Sequence, residues 1–426
     1  MSRLNNSGWE HTADSELADT IIVNSCGFIE SAKQESINAV LEWRKLYPNK
    51  KIILAGCLSQ RYAEELPKIL PEADEFIGVG NIPEKTNGFG ILTGERPLLS
   101  LPGSAYVKIS EGCNNNCSYC AIPLIRGSLV CRTIPDIVEE CRTLLARGIK
   151  ELCIIGQDIG AYISEEGTEE KKESGLPELL NALSKLKGDF WVRLLYIHPD
   201  HFPLEILDLM ERDSRFLPYF DIPFQHASQN ILTAMNRHDM RQNSECQNDM
   251  RQNTAAEKYL KLLDTIRARL PNAVIRSTFL LGFPGETDKD FEELLGFQHD
   301  AGIDWLGCFA YSREEETAAY AMKKQVKTKI AEERKKTIEE MQVPIMEQNM
   351  ERFVGQTLDV IIEELIEPAA GSNDKPIWLG RLYCHAPEID GSAVITSCSK
   401  NLELGTLVPC KVIARRGFDL EVQIAL

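Results

Sequence analysis

Three cysteines in the first third of the chain are spaced closely enough to hold one metal centre. Cys113, Cys117 and Cys120 form a C-x3-C-x2-C pattern. Thiolates are soft ligands, which favour iron–sulfur clusters or zinc over hard cations. A closed structural site uses four protein ligands, whereas a cluster held by three leaves one iron free to bind another molecule. The spacing predicts such an open cluster; a zinc knuckle or three unrelated buried thiols is the alternative.

A strand is predicted directly before this motif. Residues 105–110 alternate between apolar and more polar side chains, a pattern typical of a strand. The three cysteines would then follow the carboxyl end of that strand. Barrel-type α/β enzymes carry their chemistry at this end of the strands, so the position supports a catalytic site.

Two further cysteines, Cys26 and Cys57, each end a strand-like apolar run. A helical pattern follows each run, which predicts a parallel sheet with both thiols at its carboxyl edge. The field at a helix N-terminus lowers the pKa of a thiol and favours metal binding. The alternative is that both cysteines are small buried apolar residues. The predicted strands span 20–26, 51–57 and 75–79, and the predicted helices span 30–46 and 60–70.

The longest region alternates strands and helices after a linker rich in proline and glycine. Its six strand–helix units are fewer than the eight of a closed barrel, which predicts a partial barrel open on one side for a large substrate. The predicted strands are 105–110, 151–155, 190–197, 219–224, 273–281 and 305–311, and the predicted helices include 134–146, 254–270, 287–301 and 318–350. A short tandem duplication at 239–253, which contains Cys246, reads as a surface insertion without chemistry.

The last region changes to short strands. Five of them in a short span predict a small β-barrel of the style of oligonucleotide-binding modules. Residues 352–426 contain ten acidic and seven basic residues, a balance that disfavours binding to phosphate backbones. The predicted division is a truncated N-terminal α/β sheet domain (1–81), a linker (82–104), a partial (β/α)6 barrel (105–351) and the small β-barrel (352–426).

Composition places the protein in a reducing compartment. The chain has 426 residues, enough for about two to four domains. It lacks both a long apolar run and a signal-peptide core, so we predict no membrane partner and a cytoplasmic location. Thirteen cysteines then read as metal ligands and ordinary buried residues. The net charge of −17 favours basic partners over nucleic acid.

The cysteine motif at the top of a partial barrel resembles the radical S-adenosylmethionine (SAM) enzymes. The resemblance implies that Cys113, Cys117 and Cys120 bind a [4Fe-4S] cluster whose open iron chelates SAM, and that Tyr119 packs near the adenine. Three strand ends would supply further contacts to SAM. Together with Arg193, the candidate residues on them are Gly156, Gln157, Asp158, Gln225, Gly282 and Gly285.

Each of these contacts has a plainer explanation. Gly282 and Gly285 could merely shape a turn, because glycine is the usual residue there. His226 is more often a structural histidine than a ligand. Asp158 and Arg193 could form an ordinary buried pair.

The order of the three regions is similar to that of the methylthiotransferases. In that family the N-terminal domain binds a second, auxiliary [4Fe-4S] cluster through three cysteines, and this cluster carries the sulfur to be inserted. The stretches around Cys26 and Cys57 match the second and third of these ligand motifs, and the first is absent. We therefore expect an N-terminally truncated member that binds the auxiliary cluster weakly or not at all.

Local motifs favour the branch of the family that modifies an aspartate of small-subunit ribosomal protein twelve. They lie at 117–127, 220–228 and 386–391, and the acidic C-terminal region suits a basic ribosomal protein better than tRNA. The alternatives are the branch that modifies a tRNA adenosine and a non-catalytic iron–sulfur or zinc protein that docks on the ribosome.

The resemblance also implies a mechanism and an electron donor. Flavodoxin or ferredoxin would reduce the barrel cluster, which cleaves SAM to methionine and a 5′-deoxyadenosyl radical. The radical would remove a hydrogen atom from the aspartate β-carbon, to which a methylthio group then adds. The protein's own share is to shield the radical and to orient the two clusters.

Overall fold

The computed structural model describes residues 9–79, 96, 98, 100–164, 174–237, 254–367, 376–396 and 402–425. Most of the predicted linker and the whole duplication at 239–253 lie outside these residues, and Cys246 with them. In the described part, no helix is long and apolar enough to cross a bilayer.

The N-terminal region is a parallel sheet of three strands in the order β1-β2-β3. Its elements are β1 (Thr20–Ser25), α1 (Glu30–Leu46), β2 (Lys51–Gly56), α2 (Cys57–Arg61), α3 (Leu66–Ile69) and β3 (Glu75–Ile77). The register runs to Ser25 opposite Gly56, so the two strands end side by side. The prediction of a single helix at 60–70 is wrong, because the structure has two short helices in this part of the chain. Pro67 is tolerated only in a first helical turn, and it therefore starts a new helix instead of continuing the first.

Six parallel strands form the central sheet in the order β11-β10-β9-β8-β7-β4. They are β4 (Ser104–Lys108), β7 (Glu151–Ile155), β8 (Trp191–Leu194), β9 (Phe216–Asp221), β10 (Val274–Leu281) and β11 (Trp305–Ala310). A short hairpin, β5 (Ser110–Glu111) with β6 (Val130–Cys131), follows the first strand. The open ends of the strand order confirm the predicted partial barrel of α/β class.

Helices cover the outer face of this sheet. They are α4 (Ile122–Arg126), α5 (Ile134–Ala146), α6 (Leu176–Leu183), α7 (Ile206–Met210), α8 (Gln229–Ala234), α9 (Ala255–Arg269), α10 (Asp288–Ala301) and α11 (Thr328–Glu351). Capping boxes start α9 and α10, because Thr254 and Thr287 each exchange hydrogen bonds with an acidic residue three positions on. The predicted helix at 318–350 begins later than expected, after a separate 3₁₀ turn at Ala318–Ala321.

The C-terminal region is a closed five-stranded β-barrel, as predicted. Its strands follow the order β12-β13-β14-β16-β15, and they are β12 (Thr357–Ile366), β13 (Ile377–Arg381), β14 (Ala393–Ile395), β15 (Leu407–Arg416) and β16 (Asp419–Ile424).

The small barrel shares an apolar core with one face of the central sheet. Trp191, Tyr219 and Trp305 of the sheet belong to the same buried cluster as Trp378 and Leu382 of the small barrel. The indole of Trp305 donates a hydrogen bond to the Cys384 carbonyl at 2.7 Å. The two regions therefore pack as one continuous core, and the other face of the sheet is left to the helices.

Candidate active site

The loop with the three cysteines leaves the carboxyl end of β4 and is closed at its base by the short hairpin. The backbone N–H of Cys113 donates to the Gly127 carbonyl at 3.2 Å. Gly112 has φ +74°, and a β-carbon there would collide with the carbonyl oxygens of Gly127 and Ser128. Only glycine meets both demands, so this residue lets the two ends of the loop approach each other.

The C-terminal turn of α8 holds the middle of the loop. Ser118 donates from its N–H to the Met235 carbonyl at 2.9 Å and from its hydroxyl to the Ala234 carbonyl at 2.8 Å. Asn236 donates from its side chain to the Asn116 carbonyl at 2.7 Å. The last carbonyls of a helix have no partner within the helix, so the cysteine loop satisfies them while it is being positioned.

Arg237 brings a positive charge to the same loop. Its side chain is 5% exposed, and its guanidinium lies 3.2 Å from the Tyr119 hydroxyl and 4.0 Å from the Cys117 sulfur. It also donates to the Pro223 carbonyl at 2.6 Å. No carboxylate among the described residues forms an ion pair with Arg237. A buried cation of this kind favours an anion nearby.

Two of the thiols are neutral in the protein alone. Burial raises the pKa of Cys113 to about 11 and that of Cys120 to about 12. Binding of a metal or cluster at these thiols must therefore release protons, since the thiolate is the ligand form.

The three cysteine thiols can serve an iron–sulfur cluster, whose protein ligands need not converge on one metal ion. Among the residues that the structure describes, no three cysteine, histidine or acidic side chains are grouped so that they could hold one metal ion. Zinc would need its sulfurs at about 2.3 Å from one point. The irons of a cluster take one thiolate each and leave the sulfurs further apart. A thiolate-bound cluster would also place negative charge beside Arg237, which pairs with no carboxylate among the described residues.

Asp158 lies after β7 and supports the cysteine loop. One carboxylate oxygen accepts from the Asn115 side chain at 2.8 Å and lies 2.6 Å from the His201 ring. The other accepts from the backbone of Gly160 and His198, both at 3.1 Å. Burial raises the pKa of this carboxyl, but the histidines and Asn115 outweigh burial and bring it to about 2. Asp158 is therefore ionised, and its bonds are made within the chain.

Gly156 and Gln157 lie beside the start of the same loop. A β-carbon on Gly156 would come within 2.6 Å of the Ser110 hydroxyl, which is buried and has no partner among the described residues. Gln157 donates to Glu111 at 3.2 Å, and its own side-chain oxygen is buried without a described partner. The structure brings both residues to the segment just before the first cysteine, where the Ser110 hydroxyl and the Gln157 side-chain oxygen have no described partner.

Two residues with left-handed backbone follow neighbouring strands at this edge. Tyr196 after β8 has φ 66° and Gln225 after β9 has φ 68°, and neither is glycine. The N–H of Gln225 donates to the Thr278 carbonyl at 2.7 Å, which fixes its backbone. Such conformations cost roughly 1–3 kcal/mol and concentrate at functional sites. The structure places Gln225 at the edge that carries the cysteines.

Gly282 and Gly285 shape the turn after β10. Their φ values are +75° and +92°. The N–H groups of Gly282 and Phe283 donate to Glu286, which Arg334 pairs at 2.8 Å. A β-carbon on Gly282 would collide with Ala331 of α11. The close approach at this glycine is thus to a helix of the protein itself.

His226 is structural. Its Nδ1 accepts from the N–H groups of Ala227 and Ser228 at 2.9 and 3.0 Å, just before α8. Burial lowers its pKa to about 3, so the ring stays neutral.

Arg193 lies with the small barrel and has no described contact with the cysteines. It donates to Glu151 at 2.7 Å and to the Tyr383 carbonyl at 2.9 Å, with its side chain fully buried. Glu151 is the first residue of β7, at the end of the sheet opposite to the cysteines. The resemblance predicts a contact from Arg193 to SAM, and the plainer alternative is a buried pair with Asp158. The pair is wrong, because Asp158 bonds to His201 instead and Arg193 to Glu151.

Cys26 and Cys57 lie at the matched ends of β1 and β2. A β-carbon on Gly27 would come within 2.7 Å of the Cys57 carbonyl, so the two segments touch. Arg126, at the end of α4, lies 3.3 Å from the Cys57 sulfur and 2.6 Å from Glu111. The N-terminal sheet therefore faces the cysteine loop of the barrel through one guanidinium.

An ion-pair cluster holds these two regions together. Glu314 after β11 accepts from Lys33 at 2.9 Å and from Arg61 at 2.8 Å, and both cations belong to the N-terminal region. Its carboxyl is 3% exposed, so the cluster lies at a buried interface.

Sequence reasoning missed Arg237, Asn115 and Arg126. Asn115 could have been found from its place inside the cysteine motif. The two arginines carry no local signal, because each reaches its sulfur only after folding.

Three family models match the chain in the order found in the structure. They are "Uncharacterized protein family UPF0004" at residues 1–78, "Radical SAM superfamily" at 107–297 and "TRAM domain" at 354–424. Among solved structures, the radical S-adenosylmethionine methyltransferase TsrM from Kitasatospora setae covers 72% of this chain and 64% of its own at 14% identity, with a TM-score of 0.48. That similarity is too low to assign anything to this chain.

Curated relatives match over nearly the full length. "Ribosomal protein uS12 methylthiotransferase RimO" of Treponema denticola is 44% identical, over 98% of this chain and 95% of the relative. The protein of the same name from Aquifex aeolicus is 38% identical, over 99% and 92%. The chain belongs to the RimO family of radical SAM methylthiotransferases.

Proposed function

We propose that this protein inserts a methylthio group at the β-carbon of an aspartate in ribosomal protein uS12. The observation that carries the proposal is 44% identity to a RimO over 98% of the chain, with the cysteine loop at the carboxyl edge of the central sheet. The fold-class and family predictions are confirmed. The individual site residues stay predictions.

The residues at this edge have distinct tasks in the proposed reaction. Cys113, Cys117 and Cys120 would hold the [4Fe-4S] cluster, and Tyr119 would lie against the adenine. When bound, the cluster and SAM supply the chemistry of the reaction, which is homolytic cleavage of SAM and removal of a hydrogen atom from the substrate. The protein orients the ligands and excludes water around them.

The outer residues keep that loop in place. Asp158 holds Asn115 by a charged hydrogen bond, and the α8 turn holds Ser118. Gly156 leaves room beside Ser110, and the free oxygen of Gln157 can accept a hydrogen bond from an amine. Gln225 and the turn at Gly282 and Gly285 border the same edge.

Cys26 and Cys57 are proposed ligands of the second, sulfur-carrying cluster. Their neighbouring positions and the contact between Arg126 and Cys57 support a site that faces the barrel loop. A cubane takes more than two protein ligands, so these two thiolates supply part of such a site.

The acidic charge supports a basic protein partner. With a net charge of −17 the surface attracts a basic ribosomal protein, alone or on the ribosome, and repels tRNA. A low-potential donor such as flavodoxin or ferredoxin is proposed as the electron source. Because the substrate belongs to the ribosome, we propose that the protein acts in the cytoplasm.

The proposed domains are an auxiliary-cluster domain (1–81), a linker (82–104), a radical SAM domain (105–351) and a TRAM domain (352–426).

Mass spectrometry of both substrates tests the proposal. The reconstituted full chain is incubated anaerobically with SAM, dithionite and sulfide, once with uS12 and once with tRNA. We expect 5′-deoxyadenosine in both reactions and a methylthio mass increase only on a uS12 aspartate. Gain of that mass on tRNA alone would assign the chain to the other branch, and absence of deoxyadenosine with a zinc-loaded protein would favour a docking protein.

A further inference from the structure

Arg237 is a buried arginine that has no carboxylate partner among the residues the structure describes. It is 5% exposed and has no ion-pair partner among the described carboxylates, whereas the comparably buried Arg193, Arg334 and Arg381 each pair with a glutamate. Leaving a buried ion without a counter-charge is strongly unfavourable. Within the described parts of the chain, the groups in contact with its guanidinium that can carry a negative charge are the Cys117 sulfur and the Tyr119 hydroxyl.

The backbone holds this arginine rigidly. Its own N–H donates to the Leu232 carbonyl at 2.9 Å, at the end of α8, and its side chain donates to the Pro223 carbonyl at 2.6 Å. Pro223 lies two residues before the strained Gln225. One side chain therefore connects the end of α8, the turn after β9 and the cysteine loop.

We propose that Arg237 is a positioning residue that sets the reduction potential of the barrel cluster and the orientation of Tyr119. The inference rests on the proposed attachment of that cluster to Cys113, Cys117 and Cys120. Potentials of such clusters depend on nearby charge and on hydrogen bonds to the cysteine sulfurs. Reduction adds an electron, so a fixed cation beside one ligand favours the reduced form that SAM cleavage requires.

The two tasks of the side chain can be separated by substitution. Arg237→Met removes the charge and the bonds, and Arg237→Gln removes the charge but keeps a donor. Arg237→Lys keeps the charge and only one donor group. Tyr119→Phe removes the acceptor at 3.2 Å and leaves the charge in place.

The measurement is an anaerobic redox titration of the full chain, followed by electron paramagnetic resonance. Cys26→Ala and Cys57→Ala are present throughout, so that the signal comes from one cluster. At the midpoint potential of this background, we expect the ratio of reduced to oxidised cluster to fall at least tenfold in Arg237→Met and Arg237→Gln, a shift of about 59 mV for one electron. Arg237→Lys and Tyr119→Phe should stay within threefold of the background.

Arg381→Met is the matched control. Arg381 is 2% exposed and pairs with Glu151 at the opposite end of the sheet, so its loss should lower the melting temperature without moving the potential. Because Arg193 still pairs with Glu151, the carboxylate keeps one partner.

Each outcome of the titration either supports the role of Arg237 or contradicts it. An unchanged ratio in both neutral variants overturns it. If the neutral variants bind no iron while Arg237→Lys does, the charge is required and the inference holds; if Arg237→Lys loses iron as well, the arginine serves packing and the inference fails. If the background itself binds no iron, the proposed cluster site has failed first.

Discussion

Buried arginines at the two ends of the central sheet have different partners. At the amino ends, Glu151 accepts from Arg193 at 2.7 Å and from Arg381 at 2.5 Å, and Arg381 also pairs with Glu363 at 3.0 Å. Two cations thus meet two carboxylates. At the carboxyl ends, Arg237 has no described carboxylate and lies beside cysteine.

Two residues with left-handed backbone lie at the carboxyl ends of neighbouring strands. Tyr196 and Gln225, with φ 66° and 68°, both follow the carboxyl ends of strands. The amino ends instead meet the small barrel over a shared apolar core. A surface that binds only another part of the chain can satisfy its charges permanently, whereas a surface that binds a ligand keeps some of them for that ligand.

The largest effect is expected from the cysteine loop. Cys117→Ala should reduce deoxyadenosine formation to background, because two thiolates cannot hold the cluster. Iron analysis and a deoxyadenosine assay measure the result. Cys141→Ala, a buried thiol in α5, is the control and should keep both iron and activity. Activity in Cys117→Ala would contradict the proposed site.

The amino ends of the strands form the paired end, where Glu151 binds two arginines. A substitution there should lower stability and leave catalysis unchanged. Glu151→Ala leaves Arg193 and Arg381 buried without their shared carboxylate, and we expect a loss of about 3–5 kcal/mol in the free energy of unfolding. Urea denaturation measures it. Glu347→Ala removes a 40%-exposed partner of Arg415 and should cost less than about 1 kcal/mol. Equal losses would show that the paired end is not special.

Asp158→Asn tests the support of the cysteine loop. The substitution weakens the charged bond to Asn115 and the contact with His201, and outer partners of metal ligands typically contribute about 10- to 100-fold to affinity or activity. We expect a loss of that size in deoxyadenosine formation at low SAM. Asp213→Asn, which loses a pair with Arg215 on the protein surface, should leave the rate unchanged.

The smallest effect concerns acid sensitivity at the paired end. Burial lowers the pKa of His385 from 6.5 to about 3, and both ring nitrogens are buried without a partner in the described chain. Between pH 6.5 and pH 3 the unfolded chain binds the proton more readily than the buried ring, so stability falls as pH falls, by up to about 1.4 kcal/mol per pH unit.

His385→Leu should therefore change stability by less than about 1 kcal/mol at pH 7 and flatten the loss below pH 6.5. Thermal unfolding from pH 7 to 5 measures the difference. His299→Leu, an exposed histidine beside Asp300, is the control and should keep the slope of the parent protein. An unchanged slope in His385→Leu would mean that the ring titrates freely.

Elements with regular patterns were predictable from the sequence. The helices Glu30–Leu46 and Ile134–Ala146 and the strand Glu151–Ile155 have the predicted bounds. Each is governed by the periodicity of its own residues. The prediction of one helix at 60–70 was wrong because Pro67 and its neighbours determine where a second helix begins.

The residues of the site also differ in whether the sequence alone could predict them. Cys113, Cys117 and Cys120 are visible in the sequence because a metal centre needs several ligands within a few residues of one another. The pair between Arg193 and Glu151 could not be predicted, because the alternation of a strand says which residues share a face and does not say which domain covers that face.

What the sequence by itself determined is the α/β class, the three regions, the family and the cysteine motif, since all depend on residues near one another in the chain. Only the tertiary structure decided that Arg237 reaches Cys117, that Arg126 reaches Cys57 and that Arg193 belongs to the paired end. These contacts join residues between 42 and 120 positions apart, and burial of charge is settled only when the surrounding elements have packed.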